Sequence, residues 1–145
     1  MAENDLNRLK SYNEVCKAAE KELQSDNFQE AENLFAKALE INNTSIEAWI
    51  GLASLHIKTE KFDKAQNDAD RAIDIARSTP KAESNALIAN AFLKGGLSCF
   101  HRGKYQEAKN YFTEGFKHDS SPKTGLNQWI IWCDEKMAKL MRKLT

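Results

Sequence analysis

The chain has 145 residues, 29% of them charged, and its 21 basic and 21 acidic side chains cancel. A domain of that length buries roughly two thirds of its unfolded surface without crosslinks, and a balanced charge offers no long-range field to nucleic acid or an anionic bilayer. No apolar run approaches the ~20 residues that span a membrane, the N-terminus MAENDLNRLK lacks an apolar signal core, and three unclustered cysteines, Cys16, Cys99 and Cys133, suit neither a disulfide framework nor a metal or redox motif. These features predict a soluble intracellular protein, cytoplasmic or nuclear, with reduced thiols and no partner among nucleic acids or membranes.

Two prolines and six glycines interrupt apolar residues that otherwise recur at spacings of three and four, so the fold class is all-α. In chain order, a first helical repeat over about 11–43 carries Phe28-Gln-Glu-Ala31, then Phe35 and Ala38. A second over about 45–78 opens with Trp49 and Leu52 and carries Phe62-Asp-Lys-Ala65, then Ala69 and Ala72. Phe28 to Phe62 and Ala31 to Ala65 both span 34 residues. A third over about 80–119 carries Tyr105-Gln-Glu-Ala108, then Phe112 and Gly115, but arrives nine residues late. Thr79-Pro80 reads as an N-cap followed by proline in a first turn, which predicts an extended helix over 80–101 projecting beyond its neighbours. Ser121-Pro122 reads as the start of a last helix over about 122–144, whose stripe Leu126, Trp129, Ile130, Cys133, Met137, Leu140 and Leu144 would cap the array.

A 34-residue period with W-x-x-L and small residues at fixed offsets resembles the tetratricopeptide repeat. The resemblance implies three helix-turn-helix repeats in a right-handed superhelical stack plus a C-terminal capping helix, in one domain over residues 1–145. Small residues at 31, 38, 65, 72 and 108 let paired helices approach closely, and each hairpin buries its open face on the next.

No H-E-x-x-H or CxxC spacing and no glycine-rich phosphate loop occurs, and His56, His101 and His118 fall on different helices or their ends. No catalytic residue, metal ligand or cofactor site is therefore expected, and the protein is not expected to be an enzyme. Chaperone-associated tetratricopeptide domains use a carboxylate clamp of lysines, asparagines and an arginine. Transferred to this sequence, those positions hold Cys16, Glu20, Gly51, Asn90 and Lys94, of which only Lys94 keeps the charge, so clamp binding is not expected. The groove positions of the family instead receive Ile50, Ile57, Leu93, Leu97 and Phe100 as an apolar floor, with Asn13, Glu20, Glu47 and Asn90 at its edges. Such a floor suits an apolar anchor from a folded partner or an amphipathic segment. Ile131 and Trp132 turn away from the capping stripe, Trp132 either as its half-buried edge or as a second contact.

The long connection before repeat three, the run GKYQEAKNYFTEGFKHDSS, and a last helix with Trp129, Ile130, Cys133, Asp134 and Glu135 together resemble the N-terminal domain of the SGT-one family of co-chaperones, the fungal members most. The resemblance covers about residues 5–143. It implies a non-catalytic adaptor that links the ninety-kilodalton heat-shock chaperone to the Skp subunit of SCF ubiquitin ligases and to kinetochore assembly, with Skp held on the concave surface. The chaperone would be held by a separate domain beyond Thr145. A tetratricopeptide scaffold or chaperone-docking module with another partner is the alternative. The turn HIKTEKFDKA has ordinary length, without the insertion through which some members dimerise, so a monomer is expected, with a dimer through the projecting helix and Trp132 as the alternative.

Overall fold

The computed structural model describes residues 3–79 and 84–145. Among them lie seven α-helices: α1 Glu3–Gln24, α2 Phe28–Ile41, α3 Glu47–Lys58, α4 Phe62–Ser78, α5 Asn85–His101, α6 Tyr105–His118 and α7 Leu126–Leu144. Consecutive helices pack on one another, α1 with α2, α3 with α4, α5 with α6, and each pair on the next. The stack is the all-α helical-repeat architecture that the sequence period implies.

Each pair closes with the same three-residue turn. Asp26, Glu60 and Gly103 occupy equivalent places and all adopt left-handed φ, at 61°, 60° and 78°. Around them the hydrogen bonds repeat as a Schellman motif: Asn27 N–H to the Glu22 carbonyl at 2.9 Å, Lys61 to His56 at 2.7 Å, Lys104 to Cys99 at 3.0 Å. These bonds satisfy carbonyls that the end of a helix leaves without partners and send the chain back antiparallel.

Small residues set the approach of the paired helices. Ala31, Ala38, Ala65, Ala72 and Ala108 have no exposed surface. At Gly96, which takes the place of Ala19 and Ala53 in the earlier repeats, even a Cβ would fall within the ring of Phe112. The resulting core runs from Tyr12, Phe35 and Leu52, through Ile46, Ile73 and Phe92, to Phe112, Leu126 and Cys133. Polar bonds tie neighbouring repeats together. The Ala48 N–H donates to the Tyr12 hydroxyl at 3.3 Å, and the Tyr111 hydroxyl donates to Asp70 Oδ1 at 2.5 Å. Arg102 pairs with Asp63 at 2.5 Å.

Three boundaries differ from the sequence expectation. α1 begins at Glu3, well before residue 11, and its first two turns are exposed. The third repeat does not begin with a Thr79 cap: Thr79 ends α4, its hydroxyl donating to the Ile75 carbonyl at 2.8 Å. Pro80 lies outside the described residues. The N-cap of α5 is Ser84, whose Oγ accepts from the Leu87 N–H at 3.1 Å, and the helix starts at Asn85. Of the nine extra residues, five lengthen α5 relative to α3, at 17 residues against 12, and three lengthen α4 relative to α2, at 17 against 14. α5 therefore does not project alone, because Leu87 and Ile88 pack on the Ile73 cluster that Ile75 also joins. Ser121 caps a single 3-10 turn, Pro122–Thr124, and not α7; Gly125, at φ 71°, then redirects the chain into Leu126.

Candidate partner-binding surface

α7 carries two stripes. The first, Leu126, Ile130, Cys133 and Met137, packs on α6, with Leu126 and Cys133 fully buried. Burial and the neighbouring Asp134 push the Cys133 thiol up to about 11, so it is an unreactive packing residue. The stripe continues past its partner: Leu140 is 48% and Leu144 82% exposed, because α7 has 19 residues and α6 only 14. The cap expected from Leu126 to Leu144 thus covers the core only as far as Met137.

The second stripe explains the paired tryptophans. Trp132 is turned about 100° from Cys133, and Lys136 and Lys139 fall within about 40° of Trp132. Trp129 is shared by both stripes. Its ring packs on Phe112, 5.7 Å between centroids, and meets Trp132 edge-on at 4.8 Å and Phe100 edge-on at 5.1 Å. Phe100, Trp129 and Trp132 make the apolar floor of an open cavity of about 630 Å³ between α5 and α7, with Glu135, Lys136, Lys139 and Arg142 around it. Trp132 is 41% exposed and Ile131 likewise, consistent with surface contacts and not with capping.

The groove residues named from the sequence divide. Asn13 and Glu20 are exposed on α1, while Glu47, Ile57 and Asn90 are half-buried. Ile50 is a correction: at 5% exposure it belongs to the core between repeats two and three, beside Ile46, Ile73 and Phe92, and cannot anchor a partner. The sequence pattern could not separate a groove position from an inter-repeat one, since both face the next helix. Leu93, Leu97 and Phe100 share one side of α5, half-buried against the cluster of Phe112, Leu126 and Cys133. Of these, Phe100 lines the cavity.

Two of the five clamp positions are closed by packing. Cys16 is buried, and a Cβ at Gly51 would enter the ring of Phe35, so no side chain fits there. Lys94 remains as a cation, its ammonium held below its ordinary value by burial and by the nearby Lys58.

Sequence reasoning missed two features. One is the pair His56–Asp68, with Nδ1 2.6 Å from Oδ2, buried between α3 and α4. Its only signal was the spacing of twelve residues across a known hairpin. The other is the cationic rim: among the described residues, Lys136, Lys139 and Arg142 make no ion pair, whereas Asp134 is held by Lys109 at 2.7 Å. Their mutual spacing of three residues, at 136, 139 and 142, was legible, but only as a polar face. His101 and His118 stack on Phe62 and Phe92, at 5.0 and 5.6 Å. Among the described residues no cluster of histidine, cysteine or carboxylates could hold a metal, and no helix is long and apolar enough to cross a membrane.

A family model described as tetratricopeptide repeat matches residues 22–91. The fold is that of a tetratricopeptide repeat domain. Solved domains share its fold: the Sgt2 TPR domain from Aspergillus fumigatus, at TM-score 0.77 and 17% identity over 90% of this chain and 82% of that one, and the first TPR of Spaghetti (RPAP3), bound to an HSP90 peptide, at TM-score 0.76 and 16% identity over 89% and 94%. A curated relative, a protein SGT1 homolog of Oryza sativa subsp. japonica, is 28% identical over 114 residues, 79% of this chain. This supports the SGT-one resemblance drawn from the cap signature. The match spans 28% of that relative's length. None of these matches indicates an enzyme family.

Proposed function

We propose that this domain is the partner-binding module of an SGT-one type co-chaperone adaptor, and that it holds a Skp-type subunit of an SCF ubiquitin ligase on the face that contains Phe100, Trp129 and Trp132. The observation that carries this reading is the contrast between two chemistries on one scaffold. Three of the five positions that would clamp a peptide carboxylate are a buried thiol, an acid and a glycine shut by Phe35, and only Lys94 keeps a cation, while a half-exposed aromatic floor lies open between α5 and α7. Open aromatic surface rimmed by polar groups is the composition of interface hot spots. The similarity to the rice SGT1 homolog supports the adaptor class. Within that reading the ninety-kilodalton chaperone is bound by another part of the adaptor, the work connects to kinetochore assembly, and the module acts as a monomer in the cytoplasm or nucleus.

A second reading comes from the Spaghetti domain, which is bound to the HSP90 peptide SRMEEVD. Docking of such a tail needs several cations at fixed positions, and of the transferred clamp set only Lys94 supplies one here.

Isothermal titration of the domain with a purified Skp-type subunit separates the two. Saturable binding is expected, and Trp132→Ala, on a half-exposed ring, is expected to weaken it about thirtyfold, the equivalent of ~2 kcal/mol, with unchanged circular dichroism. Phe100→Glu is the less clean variant because Phe100 also packs on the capping cluster. The peptide SRMEEVD is expected not to bind; saturable micromolar binding of that peptide, or indifference of Skp binding to Trp132→Ala, overturns the assignment.

A further inference from the structure

Three cations stand around the aromatic cavity with no acidic partner. Lys136, Lys139 and Arg142 are exposed, line the cavity with Phe100, Trp129 and Trp132, and make no ion pair among the described residues. Glu135 is the single acid on that rim. Three other cations of the third repeat and cap are paired: Lys109 holds Asp134, Lys117 holds Glu114 and Arg102 holds Asp63. The chain as a whole is neutral, whereas this aromatic cavity sets three cations against one acid.

We propose that the cavity between α5 and α7 receives an acidic amphipathic segment of a partner protein, with one large apolar side chain seated on Trp129, Trp132 and Phe100 and carboxylates placed on Lys136, Lys139 and Arg142. The fit follows from both layers of the site. An apolar floor rewards removal of apolar surface from water, and rim charges of one sign steer oppositely charged partners and disfavour basic ones. Lys and Arg side chains also lay their methylene stems along the aromatic floor while the charged heads stay in water, which extends the apolar contact. The segment is short, since one cavity of about 630 Å³ admits one or two large side chains. This inference deepens the reading above and rests on it only in taking this face as the one a partner covers.

The test uses the 145-residue domain and two fluorescein-labelled synthetic helical peptides with one Leu/Trp face, identical except that the opposite face carries glutamates in one and lysines in the other. Anisotropy titrations are expected to show saturable binding of the glutamate peptide alone. The triple variant Lys136→Glu/Lys139→Glu/Arg142→Glu is expected to lose at least tenfold in affinity for it and to acquire affinity for the lysine peptide. Trp132→Ala is expected to lose about tenfold for the glutamate peptide at any salt concentration, whereas the effect of the triple variant shrinks as salt screens the rim. All four exchanged side chains are exposed, so circular dichroism should not change.

Equal binding of both peptides, absence of glutamate-peptide binding, or a triple variant indistinguishable from wild type overturns the proposal. So does concentration-dependent self-association in sedimentation that disappears in the triple variant, because the occupant would then be a second copy, through the exposed Leu6 and Leu9 of α1. A Skp-type subunit that binds wild type and triple variant alike defeats this inference and leaves the partner assignment standing. One that binds neither, while the glutamate peptide binds, defeats the assignment and leaves the inference standing.

Discussion

His56 and Asp68 place two ionisable side chains, 7% and 12% exposed, in the hairpin of the second repeat. The repeat tolerates them because they bond each other at 2.6 Å, although His56 Nε2 is buried without a hydrogen bond and lies 3.9 Å from Glu32 Oε1. Burial raises the Asp68 carboxyl above its usual range, against the hydrogen bond from His56. Removing one partner strands the other. Asp68→Leu is therefore expected to cost ~1–3 kcal/mol, and the double variant His56→Leu/Asp68→Leu to return to within ~1 kcal/mol of wild type or exceed it. Urea denaturation of the four proteins in a double-mutant cycle checks this. Additive losses would mean that the pair is not coupled.

At the scale of the element, the hairpin turn is the recurrent device. Three turns share one left-handed residue and one Schellman bond pattern, yet only the third uses glycine there. For a residue with a Cβ the left-handed region costs roughly 1–2 kcal/mol, and asparagine or aspartate bears it better than glutamate. Glu60→Gly is thus expected to stabilise the domain by about 0.5–1 kcal/mol, and Asp26→Gly by less. The offset is the extra unfolded-state freedom of glycine. Thermal melts of the two variants measure the difference, and a destabilised Glu60→Gly would show that the side chain has a compensating role. The turn was absent from the sequence reading because neither aspartate nor glutamate marks a left-handed position as glycine does. The start of α5 was misplaced for a related reason. Thr79-Pro80 has the chemistry of a helix start, but a threonine hydroxyl can equally close the helix before it, and here it bonds to Ile75.

For the whole molecule, stability is a chain of neighbouring interfaces, with α7 as the last. Ending the chain after Lys139 removes the exposed Leu140, Met141 and Leu144 and is expected to cost less than ~1 kcal/mol. Ending it after Gly125 removes Leu126 and Cys133, both at 0% exposure, with Trp129, Ile130 and Met137, and uncovers Phe112. At about 1.5–3 kcal/mol for each large buried side chain, that cost is of the order of the domain's entire stability. Circular-dichroism melts of the two truncations should differ accordingly, the first near wild type and the second without a cooperative transition.

What the sequence determined by itself was whatever depends on period. Apolar and small residues at 3.6-residue spacing, repeated after 34, specify helices, their pairing and the close approach at Ala31, Ala65 and Ala108, because each is a local geometric requirement that any stack must meet. The cap was readable for the same reason, as far as Met137, while Trp132 stayed open between the half-buried edge of that stripe and a contact. Only the tertiary structure decided which side of a helix meets solvent. Ile50 and Phe100 are indistinguishable as apolar residues of first helices, yet one is enclosed by Phe92 and Ile73 and the other edges an open cavity. The cationic rim and the His56–Asp68 pair belong to the same class. Each joins side chains of different stripes or different helices, and that adjacency is set by how helices pack, which no single helix records.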